Sequence, residues 1–130
     1  MGARVLVVDD RSEDLSLATF LLRAFGHEPL QARGAREALD VALQERPDLI
    51  LMDLLMPELD GYEALELLRA ESRLPRTPIV AVTVLTSPER REQALRAGFD
   101  GYIPKPILPT EFRAALEGFL VAPRDDDDAQ

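Results

Sequence analysis

No cysteine occurs in the 130-residue chain, which excludes a disulfide framework, a thiolate metal site and a cysteine nucleophile. No apolar stretch approaches the ~20 residues of a membrane span, and no signal-type hydrophobic segment stands behind a basic start. Positive charge is short too: 15 lysines and arginines face 24 aspartates and glutamates, for a formal net charge of -9. That balance opposes binding to nucleic acid, where affinity rests on lysine and arginine neutralising phosphates. After Leu120 the chain as given has no room for a DNA-binding domain, so direct transcriptional action is not expected of it. The first loop lacks the Gly/Ser/Thr-rich cradle that a flavin phosphate would need. The single histidine, His27, reads as a surface residue, neither phosphoacceptor nor metal ligand.

What is present suffices for one domain. A chain of this length buries roughly two-thirds of its unfolded surface without staples, and its 46% apolar content is ordinary for a globular protein. Asp125–Asp128 supply four of the negative charges, so the remainder is only moderately acidic. We expect a domain over residues 1–121 and an acidic, disordered tail over 122–130. Absent disulfides suit a cytoplasmic location.

Short strand-like runs alternate with longer helical ones. Val5–Val8 is continuously apolar, as in a strand buried on both faces. Ser12 is placed to cap a helix in which Leu15, Ala18, Leu22 and Phe25 recur at helical spacing, and Gly26 stops it. Glu28–Gln31 is a weak second strand, and Ala35–Glu45 a helix ended by the approach of Pro47. Leu49–Met52 and Pro78–Val82 are strands, with a helix over Gly61–Ala70 between them. Ser87-Pro88-Glu89 supplies a cap, a first helical position and an acidic first turn for a helix ending near Gly98. Gly101–Pro104 is the fifth strand and Thr110–Leu120 the last helix. Five such β/α units without internal repeats predict an α/β fold, a parallel sheet with helices on both sides. Pro104 cannot donate to a ladder and belongs on an edge strand. The fifth strand lies at an edge if the order is 2-1-3-4-5, the flavodoxin-like (βα)5 doubly wound arrangement. That order also puts strands one and three at the switch point, where open α/β sheets bind ligands.

Four of the strand runs end at residues suited to phosphoryl chemistry. The first runs into Asp9-Asp10, the third into Asp53, the fourth into Thr83 and the fifth into Lys105. In a parallel sheet all five side chains gather at its carboxyl edge. Carboxylates, a hydroxyl and an ammonium in one place are what an acidic metal site beside a phosphoaccepting aspartate requires.

These stretches resemble the receiver domains of bacterial two-component response regulators. The matching segments are VLVVDD at Val5–Asp10, DLILMDLLMPELDGYE at Asp48–Glu63, PIVAVT at Pro78–Thr83 and AGFDGYIPKPI at Ala97–Ile107, so the resemblance spans essentially residues 3–121. It implies that Asp53 accepts a phosphoryl group from a histidine kinase or phosphotransfer protein. It further implies that Asp9 and Asp10 hold Mg2+ with Asp53 and the backbone carbonyl of Leu55. Lys105 would offset the carboxylate repulsion, and Thr83 would hydrogen-bond a phosphoryl oxygen and move towards it. Pro106 suggests a cis peptide that turns the Lys105 ammonium back over the site. Tyr102, three residues before Lys105, matches the switching aromatic, whose ring would swing inward into space vacated by Thr83. Met56-Pro57 and Asp60-Gly61 are read as turn chemistry shaping the loop after Asp53.

The match is imperfect in places. Val84 stands where receivers usually carry alanine, glycine or serine, and its branched side chain narrows the path to Asp53. Neither Leu55 nor Leu85 can orient a hydrolytic water, so a comparatively long-lived acyl phosphate is expected. Leu108 replaces the usual polar cap before the last helix, with Pro109 fixing the first turn instead. The resemblance implies a readout on the fourth helix, fifth strand and fifth helix, with Arg90, Arg91, Tyr102 and Arg113 as candidates. The expected result is altered binding to a separate protein, a kinase or a like chain in a phosphorylation-linked homodimer, as for a single-domain response regulator. Such a chain is a signalling domain rather than an enzyme, although it takes part in its own phosphorylation and dephosphorylation. The alternatives are an interaction module on the same fold that is never phosphorylated, and a small phosphatase with an aspartyl nucleophile. The second is disfavoured because its nucleophile would sit on the first strand.

Overall fold

Side chains on successive strand residues point to opposite faces, so a strand sandwiched between two helical layers must be apolar at every position. β1 (Arg4–Val8), β3 (Leu49–Asp53) and β4 (Ile79–Thr83) meet that condition almost without interruption. A computed structural model, which describes residues 2–56, 61–74 and 76–121, arranges them as the centre of a five-stranded parallel sheet. The outer strands are β2 (Glu28–Ala32) and β5 (Gly101–Pro104), and the order is β2-β1-β3-β4-β5, as the sequence predicts. Pro104 therefore lies on an edge strand, in register with Thr83.

Two apolar cores separate cleanly by strand parity. Val5, Val7, Leu49, Leu51, Val80 and Val82 pack against α1 (Ser12–Ala24) and α5 (Pro109–Val121). Leu6, Val8, Ile50, Met52, Ile79 and Ala81 pack against α2 (Ala35–Glu45), α3 (Gly61–Ala70) and α4 (Pro88–Ala97). The two faces share β3, every residue of which is buried, so its terminal Asp53 is fixed from both sides. Among the described residues no helix is long and apolar enough to cross a membrane.

Local signals hold in most places. Ser87 Oγ accepts the Arg90 N–H at 3.2 Å and Pro88 opens α4, while Gly26 (φ 90°) and Gly98 (φ 122°) take the left-handed stops. Pro109 opens α5, and the Leu108 carbonyl accepts the Phe112 N–H at 2.8 Å as the first bond of the helix, which thus starts without a polar side chain at Leu108. Ser12 differs from expectation: it is the first residue of α1, and Arg11, in the N-cap position, makes no side-chain cap. The Asp9 carboxylate accepts the Arg11 N–H at 3.0 Å, and Ser12 Oγ accepts from Arg33 at 3.1 Å. The turn is thus held from the strand end rather than by a cap. His27 is half-buried rather than free at the surface, its Nδ1 accepting the Ala3 N–H at 3.0 Å. The expected tail at 122–130, Pro57 and Asp60 lie outside the described residues.

Candidate functional site

The carboxyl ends of β1, β3, β4 and β5 converge on one patch because the strands are parallel and in register. Val8 pairs with Met52, Asp53 with Val82, and Thr83 with Pro104. The following residues of each loop therefore meet. Carboxylate oxygens of Asp9, Asp10 and Asp53 lie within 4.8 Å of one another. Asp9 and Asp53 are buried, and Asp10 is half-buried at the mouth. Such spacing suits hard divalent cations, which take carboxylate oxygens and retain several waters.

Lys105 reaches this cluster over a cis Lys105-Pro106 bond. Its Nζ donates to Asp9 Oδ2 at 2.7 Å, to Asp14 Oδ2 at 2.8 Å and, more loosely, to Asp53 Oδ2 at 3.3 Å. The other Asp53 oxygen accepts the Leu55 N–H at 3.1 Å, which orients the carboxylate. Thr83 is wholly buried; its Oγ1 accepts the Leu85 N–H at 3.2 Å, so its own hydrogen remains available to donate. In front of Asp53 opens a cavity of about 690 Å³ with Asp10 and Lys105 on its floor and Leu55, Val84 and Pro106 around it. Val84 and Leu55 are 57% and 49% exposed, forming an apolar rim over a polar floor.

Charge decides the behaviour of this site. Two like charges ~4 Å apart repel by roughly 4 kcal/mol at an effective dielectric of 20. Burial pushes the Asp53 carboxyl above its ordinary range, and the neighbouring Asp9 adds to this, against the opposing pull of the Leu55 N–H and Lys105. For Lys105 burial works downward, but the hydrogen bonds to Asp14 and Asp9 and the charges of Asp53 and Asp9 together outweigh it and raise its pKa. A raised carboxyl pKa means that the fold prefers Asp53 protonated and is strained when it ionises. Asp53→Asn is thus expected to raise the thermal midpoint at neutral pH in metal-free buffer, by roughly 3–5 °C for about 1 kcal/mol. The gain should vanish as pH falls below the ordinary carboxyl value of 3.8, where both proteins are neutral at this position. Thermal unfolding at several pH values checks this, and a gain unchanged in acid would place the effect elsewhere.

The structure therefore brings Asp9, Asp10, Asp53, Thr83, Lys105 and the Leu55 backbone to one place. Asp14 was not foreseen. It reads as an acidic first-turn residue favoured by the helix dipole; the available signal was its position four residues before buried Ala18, on the sheet-facing side of α1. Tyr102 is not at the acidic floor. Its ring packs against the core beneath α2–α4, and its hydroxyl is buried without a hydrogen-bond partner among the described residues. Burial raises its pKa; Tyr62 adds to the rise, while Arg91 and Arg90 oppose it. Arg113, on α5, lies 5.3 Å over the Phe25 ring at the end of α1 and pairs with Glu117 at 3.5 Å.

Comparison with known proteins accords with this geometry. The sequence profile of the response regulator receiver domain matches residues 5–117. The polar-differentiation response regulator DivK of Brucella anthropi is 35% identical over 120 residues, covering 92% of this chain and 98% of that protein. Among solved structures, the chemotaxis protein CheY4 of Vibrio cholerae superposes with a TM-score of 0.85 at 33% identity, covering 92% of this chain and all (100%) of that one. The receiver domain of a sensor histidine kinase from Pseudomonas aeruginosa, with a magnesium ion coordinated in its active-site cleft, gives a TM-score of 0.84 at 31% identity over 94% of this chain and 100% of its own.

Proposed function

Because this chain belongs to the family of response regulator receiver domains, we propose that Asp53 accepts a phosphoryl group from the phosphohistidine of a histidine kinase or phosphotransfer protein. The observation that carries this reading is the Asp53 carboxylate, fixed between Leu55 N–H and Lys105 and facing an open cavity. An Asp53 oxygen forms the new bond to phosphorus as the bond from phosphorus to the donor breaks, and the donor leaves with that electron pair. Asp9, Asp10, Asp53 and the Leu55 carbonyl would hold Mg2+, in keeping with the oxygen cluster. Mg2+ supplies positive charge that stabilises the transferring oxygens. The Lys105 ammonium is placed to follow the charge as it moves from carboxylate to phosphoryl oxygen, and the Thr83 hydroxyl to donate to another phosphoryl oxygen.

Transfer adds about -1.5 to -2 charges at neutral pH. Through Thr83 and Tyr102 that change would be passed to the surface of α4, β5 and α5, where Arg90 and Arg91 are exposed, and read by a downstream protein or a like chain. Leu55 and Leu85 offer no side chain to orient an attacking water, which supports a long-lived acyl phosphate.

Incubation with Mg2+ and acetyl phosphate, followed by intact mass, tests the assignment. One phosphoryl adduct is expected in the parent protein and none in Asp53→Ala or without Mg2+. An adduct that survives Asp53→Ala would refute the site. Complete absence of an adduct would favour the unphosphorylated interaction module, a reading that the exposed Val84 on the rim supports.

A further inference from the structure

An ammonium group has three hydrogens, and Lys105 spends all of them on carboxylates from separate parts of the chain. The allocation is uneven. Asp9 and Asp14 are held at 2.7 and 2.8 Å, whereas Asp53 is at 3.3 Å. Charge-assisted N–H···O bonds are normally ~2.7–2.9 Å long, so the weakest of the three falls on Asp53. Asp14 is itself steadied by Arg11, whose Nε lies 3.3 Å from the same Oδ2. It comes from α1, outside the cluster of possible metal ligands formed by Asp9, Asp10 and Asp53, and remains 29% exposed.

We propose that Asp14 is a positioning residue that draws the Lys105 ammonium off Asp53 in the resting protein, so that phosphoryl transfer competes with Asp14 for Lys105. The kinetic half of this rests on the phosphoacceptor reading above; the positional half does not. Asp14→Asn keeps shape while removing the charge, and in a crystal structure of that variant Lys105 Nζ should close on Asp53 to about 2.9 Å. A separation still near 3.3 Å would overturn the proposal whether or not the protein can be phosphorylated.

The kinetic consequence follows from a double-mutant cycle at saturating Mg2+, with adduct read by intact mass. Asp14→Asn should lower the acetyl phosphate concentration for half-maximal adduct by roughly three- to tenfold, within the usual coupling between contacting residues. In a Lys105→Met background the same substitution should change nothing. Equal effects in both backgrounds would reduce Asp14 to a diffuse negative charge, and no effect in either would remove it from the reaction; both outcomes overturn the proposal. Failure of the parent protein to form any adduct would refute the phosphoacceptor reading instead, leaving the crystal structure to decide the position of Lys105.

Discussion

Lys105→Met is expected to lower the stability of the metal-free protein at neutral pH by about 3 kcal/mol, the largest loss of stability of any single site change proposed for this protein. The lysine side chain is 9% exposed, and the carboxylates of Asp9 and Asp53 beside it are 5% and 4% exposed. Removing one partner of a buried ion pair costs more than the pair is worth, because the other partner stays buried without compensation. Here one ammonium is in contact with three carboxylates at once and supplies the positive charge among them, and methionine replaces only its volume. The estimate sits at the low end of the usual range because Asp10 and the open cavity admit water to the cluster, and because the acids can take up protons. The sign with pH is set by the direction of the shift, which is upward here as it is for Asp53. With its folded pKa raised, Lys105 contributes fully below its ordinary value of 10.5, and the contribution fades only as pH rises through the folded value. Chemical denaturation at pH 7 measures the loss. Mg2+ should then rescue the variant more than it stabilises the parent, since a cation in the acidic cluster replaces the missing charge. A variant as stable as the parent without metal would show that the acids repel each other less than their distances suggest.

The division of the site between what could be read and what could not follows from how each residue earns its place. Asp9, Asp10, Asp53, Thr83 and Lys105 end apolar runs, and a parallel sheet gathers run ends on one edge, so periodicity alone brings them together. Pro104 placed β5 at the edge by the same kind of backbone argument. Asp14 had no such signal, because its partner is 91 residues away and its local role as a first-turn acid already accounts for it. Ser12 failed for a related reason: the Asp9 carboxylate holds the Arg11 N–H and the Arg11 carbonyl accepts the Leu15 N–H, so the helix starts one residue earlier and Ser12 lies inside it. Arg113 was assigned to the α4–β5–α5 face by helix membership, and that assignment did not specify its contact with the Phe25 ring, because α5 also borders α1. Side-chain direction on a helix shared between two neighbours is set by those neighbours, which sequence spacing does not specify.

Gly61 shows how a turn residue can be a contact residue, and its substitution is expected to damage both fold and site. Reading Asp60-Gly61 as turn chemistry accounts for a glycine by backbone freedom, yet Gly61 is not among the residues with positive φ. It is required because the start of α3 presses against the end of β3. An added Cβ would sit 2.7 Å from the Asp53 carbonyl oxygen and 2.8 Å from Leu54 Cα, main-chain atoms that cannot rotate aside. The Gly61 N–H also donates to the Leu54 carbonyl at 3.0 Å, so the close approach is bonded as well as tight. Gly61→Ala gains somewhat from helix propensity, by at most about 1 kcal/mol. Overpacking against backbone costs roughly 1–3 kcal/mol, so the clash wins. The relief available is displacement of Asp53–Leu55, the segment that carries the proposed phosphoacceptor and the carbonyl proposed as a metal ligand. We therefore expect a thermal midpoint lowered by about 5–10 °C together with Mg2+ affinity, measured by calorimetric titration, lowered about tenfold. Gly118→Ala is the matched control. An added Cβ meets nothing within 4 Å there, inside α5, so the same chemical change should stabilise by about 0.5–1 kcal/mol and leave Mg2+ binding alone. Opposite signs for the two substitutions would locate the requirement for glycine in the contact with the Asp53 strand end; a stabilising Gly61→Ala would show that β3 and α3 can part without disturbing the site.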